Sequence, residues 1–142
     1  MQQSFSSKAR AFVAIDALEQ DLRSCIQKYL LDHMTREKVF GSELPELVRR
    51  RDADSDGSGG NLTAYLYLRQ AYDALMRHVR LLPRDLGDLL TANVGAMDGF
   101  VATRNRVMRG RPLQLDDLDR AGAFVQRFKS RTSPLLRRCL GC

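Results

Sequence analysis

From residue 12 to residue 30 apolar side chains return every three or four positions: Phe12, Ile15, Leu18, Leu22, Ile26, Tyr29 and Leu30. That spacing follows the turn of an α-helix, roughly 3.6 residues, and cannot keep one face of a strand buried. It predicts a long amphipathic helix from about Ser7 to His33, with charged residues on the opposite face. The same period governs most of the chain, and no stretch alternates as a half-buried strand does. The expected fold is therefore all-α, a bundle of four to five main helices.

Helix signals divide the remainder. Thr35 is placed to cap a short helix through Val39. Ser42 is placed to cap another over Glu43–Arg51, with Pro45 in its first turn, where a missing N–H costs little. Residues 52–61 have Ala53 as their only apolar member and read as an exposed loop. Apolar spacing resumes at Leu62, Tyr65, Leu66, Tyr72, Leu75, Met76 and Val79, predicting one helix from Leu62 to Leu82, ended by Pro83. Shorter helices follow over about Asp85–Ala92 and Val94–Met108. The second carries Val94, Met97, Val101 and Met108 near one stripe, and Gly110 and Pro112 stop it. Asp116 or Asp117 begins a last helix to about Cys139, expected to bend near Pro134. With 142 residues the chain is long enough for a single domain, 1–142.

The formal net charge of +6 is unevenly spread. Residues 100–142 hold ten Arg or Lys against three acids, whereas residues 1–99 hold thirteen against fourteen. Such asymmetry suits a polyanion or an acidic protein. Arg outnumbers Lys 19 to 4, and the guanidinium fork matches phosphate. An Arg-rich codon usage would give the same excess, so both readings stand. The opening MQQSFSSKAR has no apolar core of a signal peptide, and no run is long enough to span a bilayer. Three cysteines, Cys25, Cys139 and Cys142, are too few for a disulfide framework. The expectation is a reduced, cytoplasmic protein without membrane association.

The basic third contains Arg104-Asn105-Arg106-Val107-Met108-Arg109-Gly110-Arg111-Pro112. Metal-free RNA cleavage needs a group to take the proton from a ribose 2′-OH and one to protonate the departing 5′-oxygen. Histidine can do either near neutrality. An arginine alongside holds the phosphate oxygens and neutralises their growing charge. A polar Asn next to the arginine can orient either partner.

Residues 100–113, FVATRNRVMRGRPL, resemble the signature of HEPN domains, whose motif is an Arg, usually a polar residue, then a His after four to six intervening positions. The order of helices resembles that family too, in particular the kind carried by RNA-surveillance endonucleases. The resemblance implies an up-and-down bundle that dimerises around the motif helix. It also implies a metal-independent endoribonuclease that leaves a 2′,3′-cyclic phosphate and works in toxin, antiviral or RNA-processing systems. Arg104 matches the motif Arg, Asn105 its polar neighbour, and Arg109 stands where the His belongs. The implied catalytic positions are thus Arg104, Asn105 and Arg109, and the implied RNA contacts are Arg104, Arg106, Arg109 and Arg111. No cofactor and no metal are implied. Expected partners are a second copy of the chain, RNA, and a cognate antitoxin or other defence subunit.

Position 109 departs from the family pattern in a way that matters chemically. A guanidinium keeps its proton at biological pH and cannot serve as general base. Losing such a group costs on the order of 10²- to 10⁴-fold in rate. The expected activity is impaired, whether the Arg is natural or was introduced to silence a nuclease. The alternative is a noncatalytic dimerisation or RNA-binding module of a larger defence or toxin–antitoxin system. On a regular helix, residues 104 and 109 lie roughly 140° apart, so the helix must end for both to face one site.

Other candidates are weaker. His33 and His78 are far from the motif in sequence and read as surface or interface residues. Asp52-Ala53-Asp54-Ser55-Asp56-Gly57 copies the opening of a calcium loop, but Gly59 and Thr63 stand where an apolar residue and a bidentate Glu are needed. Cys139-Leu140-Gly141-Cys142 has no second cysteine pair to complete a metal site.

Overall fold

A computed structural model describes the backbone of residues 2–54 and 62–139 and the side chains of 7–54 and 62–128. Among these residues the chain is all-α, with no strand. Helix α1 covers Gln2–Cys25 and continues as a π-helical turn over Ile26–Leu31. It therefore begins earlier than its apolar spacing predicts. Ala11, Ile15, Leu18, Leu22, Cys25, Ile26 and Leu30 form its buried stripe. Phe12 is 44% exposed and does not belong to that stripe, whereas Glu19 does, at 2% exposure.

The two short helices are α2, Arg36–Phe40, and α3, Leu44–Ala53. Thr35 caps α2 as expected, accepting from Lys38 N–H at 3.3 Å. Pro45 sits in the first turn of α3, but Ser42 does not cap it. A 3₁₀ turn over Gly41–Glu43 leads directly into the helix instead.

The single helix expected over residues 62–82 is broken. A 3₁₀ turn covers Leu62–Tyr65, α4 covers Leu68–Arg77, and a second 3₁₀ turn covers Val79–Leu81. The reason lies in Leu66 and Leu68, which are 0% and 1% exposed. Two residues apart on a helix they would face opposite sides, roughly 200° apart. Extended backbone at Tyr67, φ −82° and ψ 162°, sends both inward and turns the Tyr67 side chain out.

Helix α5 covers Arg84–Ala92, α6 Val94–Met108 and α7 Asp117–Cys139. The inward stripe of α6 is Met97, Phe100, Arg104 and Val107, a rotation from the expected one that leaves Val94 39% exposed. Helix α7 runs helical through position 134. It packs along α1 and against α6, and α1 also meets α4 and α6. Phe100 stacks on Phe124 at 4.1 Å, Phe124 tilts against Phe128 at 5.1 Å, and Tyr72 meets Phe128 edge-on at 6.2 Å. These rings fill the centre, where a chain without Trp has few other large groups. No helix among the described residues is long and apolar enough to cross a membrane.

Candidate RNA-binding site

Gly110 sets the end of the motif helix. Its φ of +66° is the left-handed region that glycine enters without steric cost. Arg111 N–H then donates back to Arg106 C=O at 3.0 Å, closing the helix as a Schellman turn. Arg109 is the residue that caps the helix just before that turn, and its N–H donates to Asn105 C=O. The helix thus stops where the sequence requires it to, which lets Arg109 swing toward Arg104.

Arg104, Asn105 and Arg109 line one cavity of about 180 Å³, together with Tyr67, Leu68, Arg69, Gln70 and Val101. The three motif positions thus come together in one place. Arg106 and Arg111 do not line it. Arg111 is exposed beyond the helix end. Arg106 is committed elsewhere: its Nε and Nη2 both donate to Asp117 at 2.7 Å. Asp117 also accepts from Gln114 N–H at 2.7 Å and Thr103 Oγ1 at 3.3 Å. The Arg106 guanidinium is the main reason the Asp117 carboxyl falls to about 2 from its ordinary 3.8. This cluster ties the start of α7 to α6.

Arg104 is itself 7% exposed and lies on the core side of α6. A buried guanidinium needs a partner, and Glu19 of α1 supplies it. Arg104 Nε and Nη2 each reach Glu19 Oε1 at 2.6 Å. Nη1 donates to Asn105 Oδ1 at 3.2 Å, leaving one N–H free of these bonds on each terminal nitrogen. Glu19 Oε2 lies 3.9 Å from Arg23, whose Nε and Nη2 donate to Leu66 C=O at 3.2 and 2.6 Å. One carboxylate on α1 therefore organises both walls of the cavity: the motif arginine and the extended segment that carries Tyr67.

Tyr67 is the feature that reading the sequence missed. Three guanidinium carbons lie over its ring: Arg50 at 4.3 Å from the centroid, and Arg104 and Arg109 at 5.7 Å. Ring faces attract cations, and arginine does so with little dehydration cost. Arg50 is fixed by Tyr65 C=O at 3.0 Å and Gln70 Oε1 at 2.8 Å. The one available signal was an aromatic residue between two leucines that cannot share a helix face.

Charge is not balanced evenly here. Arg69 pairs with Asp73 at 3.3 Å and with Asp98, and Arg104 pairs with Glu19. Among the cavity's guanidiniums, Arg109 alone has no carboxylate partner within the described residues. His33 and His78 do not line the cavity, and His78 Nε2 contacts Lys38 C=O at 3.1 Å. Of the calcium-like loop, Asp52 sits 3.6 Å from Arg51, and Asp54 accepts from Tyr65 Oη at 2.9 Å. Positions 55–57 of that loop and the side chains of the terminal Cys pair lie outside the described residues.

These features define an all-α protein with a basic cavity built around an exposed aromatic ring. Comparison with protein-family models, characterised proteins and solved structures returned no match.

Proposed function

We propose that this chain is a HEPN-type domain that binds single-stranded RNA in the Arg104–Arg109 cavity and is impaired as an endoribonuclease by the guanidinium at position 109. The observation that carries this reading is the convergence of Arg104, Asn105 and Arg109 on one cavity, despite their separation around the helix. In the reaction the family resemblance implies, a ribose 2′-OH attacks the adjoining phosphorus and the 5′-oxygen leaves, giving a 2′,3′-cyclic phosphate. Arg104 and Arg109 supply positive charge to the phosphate as that charge grows. Neither supplies a base for the 2′-OH. RNA is favoured over DNA because DNA lacks that nucleophile.

The test is Arg109→His, assayed on single-stranded RNA in EDTA. Cleavage gained by the variant, with cyclic-phosphate ends, supports a ribonuclease site that lacks its acid–base group. RNA binding that persists without cleavage favours the second reading, a noncatalytic RNA-binding and dimerising module of a cytoplasmic defence or toxin–antitoxin system. The bonding of Arg104 to Glu19 favours that second reading, since it gives the arginine a structural task. Sedimentation at graded concentration tests the homodimer that both readings entail.

A further inference from the structure

Tyr67 is 43% exposed although three guanidinium carbons lie within 5.7 Å of its ring centroid. Leu66 and Leu68 on either side are fully buried, which pins the backbone. Tyr67 N–H donates to Gln70 Oε1 at 3.1 Å, and the same oxygen accepts from Arg50. Arg50 lies 4.3 Å from the ring centroid, and its other bond, to Tyr65 C=O, comes from two residues before Tyr67. Ring, supporting guanidinium and backbone thus form one braced unit. Ordering costs have already been met in folding, which favours a ligand that needs a rigid flat surface.

We propose that Tyr67 is a stacking platform for one nucleobase of a single-stranded RNA, with Arg109 paired to the phosphate next to that base. This rests on the reading that RNA occupies the cavity, and adds how the strand is oriented there. Arg109 is 5.7 Å from the ring centroid and has no carboxylate partner among the described residues, so a phosphate satisfies it. A base on the ring and a phosphate on the neighbouring guanidinium reproduce the repeat of a nucleic acid strand. The strand must be single, because duplex bases already stack on one another and offer no free face. Stacking is tolerant of base identity, so the site selects a strand with an accessible base rather than a sequence.

The chain contains no Trp, so Tyr67→Trp places the sole indole at the platform. Its emission is followed while oligoadenylate RNA is added, and again with an abasic ribose-phosphate oligomer of equal length. Quenching by oligoadenylate and none by the abasic strand is the expected result. Tyr67→Ala should weaken oligoadenylate binding by roughly five- to 150-fold, with abasic binding little changed and Tyr67→Phe close to the parent. Oligoadenylate that binds in a salt-dependent way without moving the indole emission overturns the platform and leaves the RNA reading standing. Equal affinity of the unaltered chain for the two strands does the same. If neither strand binds, both readings fall together.

Discussion

Arg104 of α6 and Glu19 of α1, 85 positions apart, form a buried ion pair in which two guanidinium nitrogens converge on a single carboxylate oxygen at 2.6 Å. The side chains are 9% and 3% exposed. The residue proposed to contact phosphate is thus also a strut between two helices. Such a pair fixes the direction of the guanidinium before any ligand arrives, at the cost of desolvating two charges. Its worth therefore differs sharply between losing one partner and losing both.

Removing either partner strands a charge in the core. Glu19→Ala and Arg104→Ala should each lower unfolding free energy by about 3–5 kcal/mol. Joint replacement by apolar residues, Glu19→Leu with Arg104→Met, should recover most of that loss while abolishing RNA binding. Urea denaturation of the parent, Glu19→Leu, Arg104→Met and the double variant gives the coupling. Single variants as stable as the parent would show that the pair does not hold α1 to α6.

Asp117 predicts an acid-sensitive joint. Its carboxyl is held at about 2, first by Arg106, with help from Gln114 N–H and Thr103 against the opposing effect of burial. A depressed carboxylate stabilises the fold fully above its unfolded value of 3.8, and that stabilisation fades as pH falls toward 2. Asp117→Asn should cost about 2 kcal/mol at neutral pH. It should also flatten the decline in stability between those two values. Thermal melts across that range separate the outcomes: parallel curves for parent and variant would remove Asp117 as the cause.

Much of the fold was legible because apolar spacing reports helices directly. The extents of α5 and α6 and the Thr35 cap agree with their sequence signals. What spacing alone hid were two charged residues in core register. Glu19 lies four after Ile15 and three before Leu22, and Arg104 lies four after Phe100 and three before Val107. Each position was readable as buried. A charge of either sign at such a position calls for an opposite one, but which one depends on helix packing and not on local pattern. The break at Leu66–Leu68 was hidden for a different reason. Periodicity before and after it looks continuous, and only packing decides that both leucines must point inward. Arg106 illustrates what a short motif leaves out: two positions after Arg104 it reads as a ligand contact, and nothing local shows that its Nε and Nη2 donate to Asp117.

Gly110 separates backbone strain from crowding. Its φ is +66°, and an added Cβ would meet nothing within 4 Å. Gly110→Ala should therefore cost about 1–2 kcal/mol from the left-handed backbone alone. Because Arg109 precedes the turn, the variant should also bind RNA more weakly at permissive temperature, while Gly95→Ala, at an open helical position, should not. An unaltered melting temperature for Gly110→Ala would mean that the helix end has another way to close.

The division of labour between Arg106 and Arg109 should be visible in salt dependence. Each cation that neutralises a phosphate of a single strand contributes a slope of roughly 0.7 in log affinity against log salt. Arg109 has no carboxylate partner among the described residues, whereas both donors of Arg106 that face Asp117 are engaged. Arg109→Ala should weaken RNA binding and reduce the slope by about that amount. Arg106→Ala should lower thermal stability, because it leaves Asp117 buried without its ion-pair partner, yet keep the slope of the parent wherever it remains folded. Titrations with one oligoribonucleotide at several salt concentrations, paired with melting curves, measure both quantities on the same samples. A slope that falls for Arg106→Ala and stays put for Arg109→Ala would move the RNA path away from the cavity and onto the opposite side of α6.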